Sequence, residues 1–287
     1  MKVVSFSNRE FKKVSKLPLS NKIINTEAEL YLYEDKNKWD KRQNVIKIFY
    51  NPDIMNEKYY TIGELLKYKD EIGMPELVMP EAVVSVNKEM VGYIMPYIDS
   101  CTNMNLLLNN PNVSLKDKLK FLKEIYLILE KIESIKALEG NFFLGDIHES
   151  NFVFDVLEQR IKVVDMDSAY INHSSIPVSK FMTFNDNLWD YPAKYPMDED
   201  DRHIPSHNTQ TLCFTYMLLN TLSREKSYNW SKEEYYLYLE CLKKMKMEPE
   251  IVNYLSTIYD DSPNIHFDVN YLDFIDSDKN YCLQYTK

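Results

Sequence analysis

The chain has 287 residues, of which 45% are hydrophobic and 27% charged, and its formal net charge is −10. This composition excludes an extended disordered chain, and the acidic balance disfavours a general nucleic-acid-binding role, which needs a basic surface. No run approaches the ~20 apolar residues of a membrane-spanning helix, and the four cysteines show no CxxC spacing. We therefore expect a globular cytoplasmic protein with no signal peptide, reduced thiols and no membrane partner.

The N-terminal third of the chain has the pattern of strands with one helix. Alternating apolar residues predict strands over residues 28–33, 45–49, 77–86 and 90–98. Apolar residues at helical spacing predict one helix over residues 56–69.

Lys47 lies at the centre of the apolar strand 45–49. A charged side chain in that position either reaches out to a strand edge or meets a buried anion. Taken alone, the strand favours the first interpretation, and both stay open at this point.

The remaining two thirds are mainly helical. Ser114 followed by Asp117 has the form of a capping box, and the apolar residues after it, from 115 to 132, predict a long amphipathic helix that ends before Gly140. The segment 209–222 is apolar nearly all round, which predicts a buried core helix, with Asn208 as its cap.

These patterns predict an α+β protein with two parts. The first part, residues 1–98, is rich in strands, and the second, residues 99–287, is rich in helices. The division falls after the strand that ends near Pro96, because a proline there stops strand pairing.

The most informative polar pattern lies in the middle of the chain. Asp146 is followed by Asn151, and Asp165 comes at the end of the apolar run 161–164. The runs between Asn151 and Asp165 predict a hairpin that carries these two side chains to neighbouring points. Their oxygens suit Mg²⁺, and Asp146 close by could receive a hydroxyl proton.

Asp146-x₄-Asn151 followed by Asp165 resembles the catalytic loop and the metal-binding Asp of the protein-kinase-like superfamily. The sequence Gly-Asp-Ile-His at 145–148 is similar to the Gly-Asp-x-His loop of aminoglycoside- and choline-kinase-type phosphotransferases. The resemblance covers about residues 23–260. It implies a bilobal fold, with a small antiparallel β-sheet lobe that carries one helix and a larger, mainly helical lobe.

The resemblance implies that the chain transfers the γ-phosphate of ATP with the help of Mg²⁺. Asp146 would position the acceptor hydroxyl and take its proton. His148 would either touch the transferring phosphate or hold the loop by hydrogen bonds. Asn151 and Asp165 would bind Mg²⁺, while Asp167 would hydrogen-bond the turn rather than act as a further metal ligand.

In the small lobe, Lys47 matches the lysine that orients the α- and β-phosphates. Glu64, or Glu57 as second choice, would align this lysine from the predicted helix. Backbone groups of Met95 to Tyr97 would hydrogen-bond adenine at the hinge between the lobes.

The sequence departs from the family pattern at four places. The segment 24–30 has no glycine where a Gly-rich turn is usual, Gly145 replaces the arginine before Asp146, Met166-Asp167 replaces Phe-Gly, and Ala-Pro-Glu is missing.

Three functions therefore stay open. The missing glycines favour a pseudokinase that binds nucleotide or serves as a scaffold, and the Gly-Asp-x-His sequence favours a kinase of a small hydroxylated molecule. The chain has no large helical insertion that would close a small-substrate pocket. We therefore expect first a protein Ser/Thr kinase-like enzyme.

Overall fold

The computed structural model describes residues 2–16, 27–34, 43–135, 142–172, 186–188, 190–191, 194–195, 206–261 and 265–282. Residues 24–26 of the predicted phosphate loop lie outside this part of the chain.

The described residues contain strands and helices in a mixed order, which confirms the α+β class. The strands are β1 (Val3–Phe6), β2 (Ser15–Lys16), β3 (Ala28–Glu34), β4 (Gln43–Phe49), β5 (Ala82–Val86), β6 (Glu89–Pro96), β7 (Cys101–Asn103), β8 (Phe142–Leu144), β9 (Phe152–Asp155), β10 (Arg160–Val163) and β11 (Ala169–Ile171). The helices are α1 (Asn8–Phe11), α2 (Pro52–Lys67), α3 (Lys69–Ile72), α4 (Met104–Asn109), α5 (Leu115–Glu133), α6 (His207–Ser223), α7 (Lys232–Lys244) and α8 (Pro249–Ser256).

These elements belong to two compact units. The first unit holds the described residues up to Cys101 together with 155–172, and the second holds the other described residues. A segment from the middle of the sequence is therefore part of the N-terminal unit.

The first unit is built on a six-stranded sheet in the order β1-β5-β6-β4-β3-β2. The strand β1 runs parallel to β5, and the other neighbouring pairs are antiparallel. The prediction of an antiparallel sheet is therefore wrong at this edge. The strand β1 has only four residues, which is too short for its periodicity to show, and its partner lies about 80 positions further along the chain.

Both faces of this sheet are covered by apolar side chains. On one face, Met55 and Ile62 of α2 pack with Phe49 and Tyr93. The helix α2 begins at Pro52, four residues before its predicted start, because Asn51 caps it by accepting a hydrogen bond from a backbone N–H of the first turn. The other face carries a separate apolar cluster around Ile46, Ala82, Val84 and Ile94.

The strands β4 and β6 approach each other very closely at Gly92. A Cβ atom at Gly92 would lie 1.8 Å from the carbonyl oxygen of Lys47. Only glycine fits there, because Gly92 faces the backbone of the neighbouring strand rather than a side chain.

The second unit is organised around α5 and α6. Ser114 caps α5 by accepting a hydrogen bond from the N–H of Asp117, and the predicted amphipathic helix is confirmed. The helix α6 is buried along nearly its whole length, as predicted. Its cap is Ser206, which forms a capping box with Thr209.

The prediction that Asn208 caps α6 is wrong. The helix begins two residues earlier than predicted, at His207, so that Asn208 lies inside its first turn. Its side-chain amide donates to the carbonyl of Lys194, and its side-chain oxygen accepts from the N–H of Ile265. Asn208 therefore ties the start of α6 to two loops.

Within the described residues, no helix combines the length and the apolar character that crossing a bilayer demands.

Candidate functional site

Lys47 is buried on the face of the sheet that α2 covers. Its side chain is only 2% exposed, and its ammonium forms ion pairs with Asp165 and, at 2.6 Å, with Asp167. The rings of Phe49 and Tyr93 lie 5.3 and 5.9 Å from the ammonium. Lys47 therefore does not reach out to a strand edge; it pairs with a buried carboxylate, which is the second of the two interpretations of this strand lysine.

Asp167 is the centre of these contacts. Its Oδ2 accepts from Lys47 at 2.6 Å and from the hydroxyl of Tyr93 at 2.9 Å. Its Oδ1 accepts from Lys58 of α2 at 2.7 Å. We call Lys47, Lys58, Tyr93, Asp165 and Asp167 the Lys–Asp cluster, and all five belong to the first unit.

Lys58 belongs to the Lys–Asp cluster although no short sequence motif marks it. Its Nζ also contacts Ser168 at 3.0 Å and Glu27 at 3.2 Å, and its side chain is 16% exposed. Lys58 follows Met55 by three residues and precedes Ile62 by four, so it lies on the buried stripe of α2. A lysine on an apolar stripe was the signal that could have found it.

The carboxylates of the Lys–Asp cluster differ in their ionisation. Burial would raise the pKa of Asp167, but Lys47 and Lys58 outweigh burial and hold that pKa well below its ordinary value. Burial and the neighbouring Asp167 carboxylate raise the pKa of Asp165, although Lys47 opposes them. Asp167 is therefore the fixed negative charge of the cluster.

The two lysines keep their charge despite their burial. Burial would lower the pKa of Lys47, but Asp167 and then Asp165 outweigh it and hold the pKa above its ordinary value. The pKa of Lys58 is raised in the same way, chiefly by Asp167 acting against burial. The cluster therefore carries two fixed positive charges.

The backbone turns sharply at Asp165. This residue has φ 62° and ψ 45°, in the left-handed region, and a 3₁₀ turn over Met166–Ser168 follows it. Aspartate tolerates this conformation better than most residues because its short polar side chain can hydrogen-bond locally. The turn brings Asp165 and Asp167 to the same lysine.

Glu64 does not pair with Lys47 in the structure. Its carboxylate accepts from the side-chain amide of Asn172 at 2.9 Å and lies 3.8 Å from Lys67, one turn further along α2. Glu57, the second choice, is exposed. The residue of α2 that reaches the Lys–Asp cluster is a lysine rather than a glutamate.

At the predicted hinge, β6 continues to Pro96. Met95 is paired with Val45 of β4, and the N–H of Tyr97 donates to the carbonyl of Gln43 at 3.1 Å. The Tyr97 N–H is therefore already used within the sheet.

In the second unit, Asp146, His148 and Asn151 come together, and we call them the loop group. The side-chain amide of Asn151 donates to the backbone carbonyl of Asp146 at 2.8 Å and lies 3.4 Å from its carboxylate. This contact uses Nδ2 and leaves Oδ1 as the oxygen with which Asn151 could bind a metal.

His148 fixes the loop at both of its ring nitrogens. Nδ1 accepts from the N–H of Ser150 at 3.2 Å, so in the neutral ring the proton is on Nε2. Nε2 lies 3.3 Å from the carboxylate of Asp146. This arrangement orients a partly exposed carboxylate, which is what a proton acceptor for an alcohol needs.

Further hydrogen bonds anchor the segment that carries the loop group. Glu149 accepts from the amide of Asn220 of α6 at 2.9 Å. The N–H of Leu144 donates to Gln210 at 3.0 Å, and Gln210 donates to Glu133 at 2.6 Å. The carbonyl of Ser150 accepts from Asn103 at 2.9 Å. These contacts bind the loop to three surrounding elements.

The predicted strands and the turn between the two predicted magnesium ligands are present. Strand β9 follows Asn151, and β10 ends shortly before Asp165. In the turn between them, Asp155 accepts from the N–H groups of Leu157 and Glu158 at 2.9 and 3.0 Å. Asn151 belongs to the second unit and Asp165 to the first.

Among the described residues, no group of three or more His, Cys, Asp or Glu side chains forms a metal cage. Magnesium is commonly bound by one or two carboxylates together with substrate phosphates and water. Asn151 in the second unit and Asp165 in the first unit each carry a side-chain oxygen of the kind that this ion prefers. No protein-family model and no curated protein matches this chain.

Proposed function

We propose that this chain is an ATP-dependent phosphotransferase with a bilobal protein-kinase-like fold, which transfers the γ-phosphate of ATP to a Ser or Thr hydroxyl of a protein. The observation that carries the proposal is the ion pair between Lys47 and Asp165, which lie 118 positions apart in the sequence. The resemblance assigns both residues to one site, and the first unit holds them in contact.

Each residue has a role in this proposal. The Lys–Asp cluster supplies positive charge for the phosphates of ATP. Asp165 and Asn151 would hold Mg²⁺, which neutralises the charge on the transferring phosphate. Asp146 orients the acceptor hydroxyl and accepts its proton, while His148 and Asn151 hold Asp146 in place.

The proposal is tested by incubating the protein with γ-labelled ATP and Mg²⁺, alone and with cell lysate. Label on the protein itself or on lysate proteins is the expected result. Label in the small-molecule fraction would instead assign the acceptor to a small hydroxylated compound. The absence of both the label and a thermal shift with ATP would contradict the proposal.

Asp146→Asn should lower turnover about 100-fold or more while it leaves the affinity for ATP within about twofold, because only proton transfer is lost. Asp273→Asn is the matched control, since Asp273 is an exposed carboxylate of the second unit that pairs with Lys123. Unchanged turnover in Asp146→Asn would remove Asp146 from its role.

One observation favours the pseudokinase as a second candidate. Lys47 is fully engaged by Asp165 and Asp167, and the Tyr97 N–H is engaged by Gln43. A pseudokinase in which these contacts are kept would show neither label nor a thermal shift with ATP.

A further inference from the structure

The two lysines of the Lys–Asp cluster are not equally open to a ligand. The side chain of Lys47 is 2% exposed, and its ammonium contacts the rings of Phe49 and Tyr93 and two carboxylates. The side chain of Lys58 is 16% exposed. An anion that arrives from solvent therefore meets Lys58 before Lys47.

The carboxylates of the site differ in the same way. Asp167 is buried and takes hydrogen bonds from Lys47, Lys58 and Tyr93. Glu27, which pairs with Lys58 at 3.2 Å, is 48% exposed, and Asp165 is 33% exposed. A buried, hydrogen-bonded carboxylate is expensive to remove, whereas a half-exposed ion pair is weak and can exchange partners.

The ion pairs of the site indicate which carboxylate an incoming anion would displace. Lys47 and Lys58 carry two positive charges, and Asp167 neutralises one of them permanently. The two more exposed carboxylates form the remaining ion pairs, Glu27 with Lys58 and Asp165 with Lys47. A phosphate group can take the place of Glu27 at Lys58. Like a carboxylate it is negatively charged, and it has more oxygen atoms that accept hydrogen bonds.

We infer that Lys58 of α2 is the direct phosphate-binding cation of this chain, that Glu27 is the counter-ion that the phosphate displaces, and that Lys47 supports the site from behind through Asp167. The ligand class is a magnesium-bound di- or triphosphate. This inference deepens the proposed function, since it names the phosphate contact of the same site. It also explains how the chain could bind phosphate without a glycine-rich loop. The Lys58 side chain would make the contact that backbone N–H groups of such a loop otherwise make.

The test measures binding of magnesium pyrophosphate to the full chain by isothermal titration calorimetry. Lys58→Met should weaken binding about tenfold or more, because a charge-assisted contact is lost. Lys67→Met is the matched control: it removes the same charge from the same helix, but Lys67 lies on Tyr68 and pairs with Glu64. Its affinity should stay within about twofold of the wild-type value.

A second pair of variants should change the affinity for magnesium pyrophosphate in the opposite direction. Glu27→Gln should strengthen binding about threefold to tenfold, because the phosphate no longer competes with a carboxylate for Lys58. Glu29→Gln removes the same charge two positions further along the chain, where the carboxylate is held by Tyr31, and should leave binding within about twofold. Glu27 is half-exposed, so this variant is expected to fold even if Lys58→Met does not.

The inference is overturned if wild-type protein does not bind magnesium pyrophosphate, if folded Lys58→Met binds it like the wild type, or if Glu27→Gln binds it no better than Glu29→Gln. These results are separate from the fate of the proposed function. Pyrophosphate binding that depends on Lys58, without phosphate transfer from ATP, would keep the inference and reject the phosphotransferase. Phosphate transfer from ATP that is unaffected by Lys58→Met would keep the phosphotransferase and reject the inference about Lys58.

Discussion

At the scale of single residues, Asp167 holds more of the first unit together than any other carboxylate of the Lys–Asp cluster. It accepts hydrogen bonds from Lys47, Lys58 and Tyr93 and is itself fully buried. Removing one partner of a buried charge network leaves the others desolvated without compensation. A substitution of Asp167 alone, with both lysines kept, should therefore have a large effect on the free energy of unfolding.

Asp167→Ala should lower the free energy of unfolding by about 3–5 kcal/mol, because Lys47 loses one carboxylate and Lys58 loses its most buried one. Urea unfolding followed by circular dichroism measures this. Asp165→Ala is the matched comparison and should cost less, since Asp165 is one-third exposed and Lys47 keeps Asp167. Equal effects of the two substitutions would show that Asp167 is not the centre of the cluster.

The sequence predicted the residues of the site unevenly. Lys47, Asp146, Asn151 and Asp165 were singled out because each stands in a short pattern that a resemblance can match, and their roles stay predictions. Lys58 was missed because its signal is the geometry of a helix stripe. The contacts of Asp167 depend on a left-handed turn at Asp165, and no local sequence pattern predicts that a non-glycine residue adopts it.

At the scale of elements, the close approach of β4 and β6 makes the sheet sensitive at a single glycine. A methyl group at Gly92 would overlap the carbonyl of Lys47. The strand β4, which carries Lys47, is thus packed closely against β6, and this contact fixes the position of the Lys47 backbone.

Gly92→Ala should destabilise the protein by about 2–4 kcal/mol or prevent folding, because the clash is with backbone and cannot be relieved by a rotamer change. Gly73→Ala is the control. Gly73 has φ 53° and closes α3, and a Cβ there would lie 3.3 Å from the carbonyl oxygen of Asp70, so a side chain should cost about 1–2 kcal/mol, chiefly through conformation. Thermal unfolding of both variants measures the difference, and a smaller effect at Gly92 than at Gly73 would contradict the close approach.

A histidine links two helices of the second unit. Nδ1 of His207, the first residue of α6, lies 2.6 Å from Glu133, the last residue of α5. The hydrogen bond with Glu133 raises the pKa of His207 above its ordinary value. The stabilisation from this pair is therefore fully present below the unfolded pKa of about 6.5 and is lost as the pH rises through the higher folded value.

His207→Gln should remove this part of the pH dependence of stability. The effect should be under about 1 kcal/mol, because the side chain of His207 is 44% exposed and its ion pair is screened. Unfolding midpoints of the wild type and the variant at about pH 5.5 and about pH 8.5 measure it. His266→Gln at an exposed position is the control. A wild type that gains stability from this pair as the pH rises would contradict the assignment.

The elements themselves were predicted best where one segment carries its own signal. The helix α5 has a cap and six apolar residues at regular spacing, so both its existence and its start were correct. The helix α2 was placed four residues late because its cap, Asn51, and Pro52 were not used. The parallel edge strand β1 was not predicted, because its pairing with β5 is a tertiary contact that residues 3–6 do not encode on their own.

At the scale of the whole molecule, the first unit is made from two separate stretches of the chain. Residues up to Cys101 supply the sheet and α2, and residues 155–172 supply Asp165 and Asp167. The N-terminal stretch alone would contain the buried Lys47 without Asp165 and Asp167, and Lys58 with Glu27 but without Asp167.

A fragment of residues 1–101 should therefore fail to fold stably, as measured by circular dichroism and urea unfolding. Lys47→Met should have opposite signs in the two contexts. In the full chain it removes a partner of two carboxylates and should destabilise, whereas in the fragment it removes an uncompensated buried charge and should stabilise. The same sign in both contexts would contradict the dependence of Lys47 on the distant segment.

The separation of 118 positions between Lys47 and Asp165 also has a consequence for synthesis. At translation rates of about 5–20 residues per second, a ribosome makes Asp165 roughly 6–24 s after Lys47. During that interval the nascent sheet has no acidic partner for Lys47, and the helix α5 is completed first. The N-terminal unit is thus begun early and finished late, after α5 of the second unit has been synthesised.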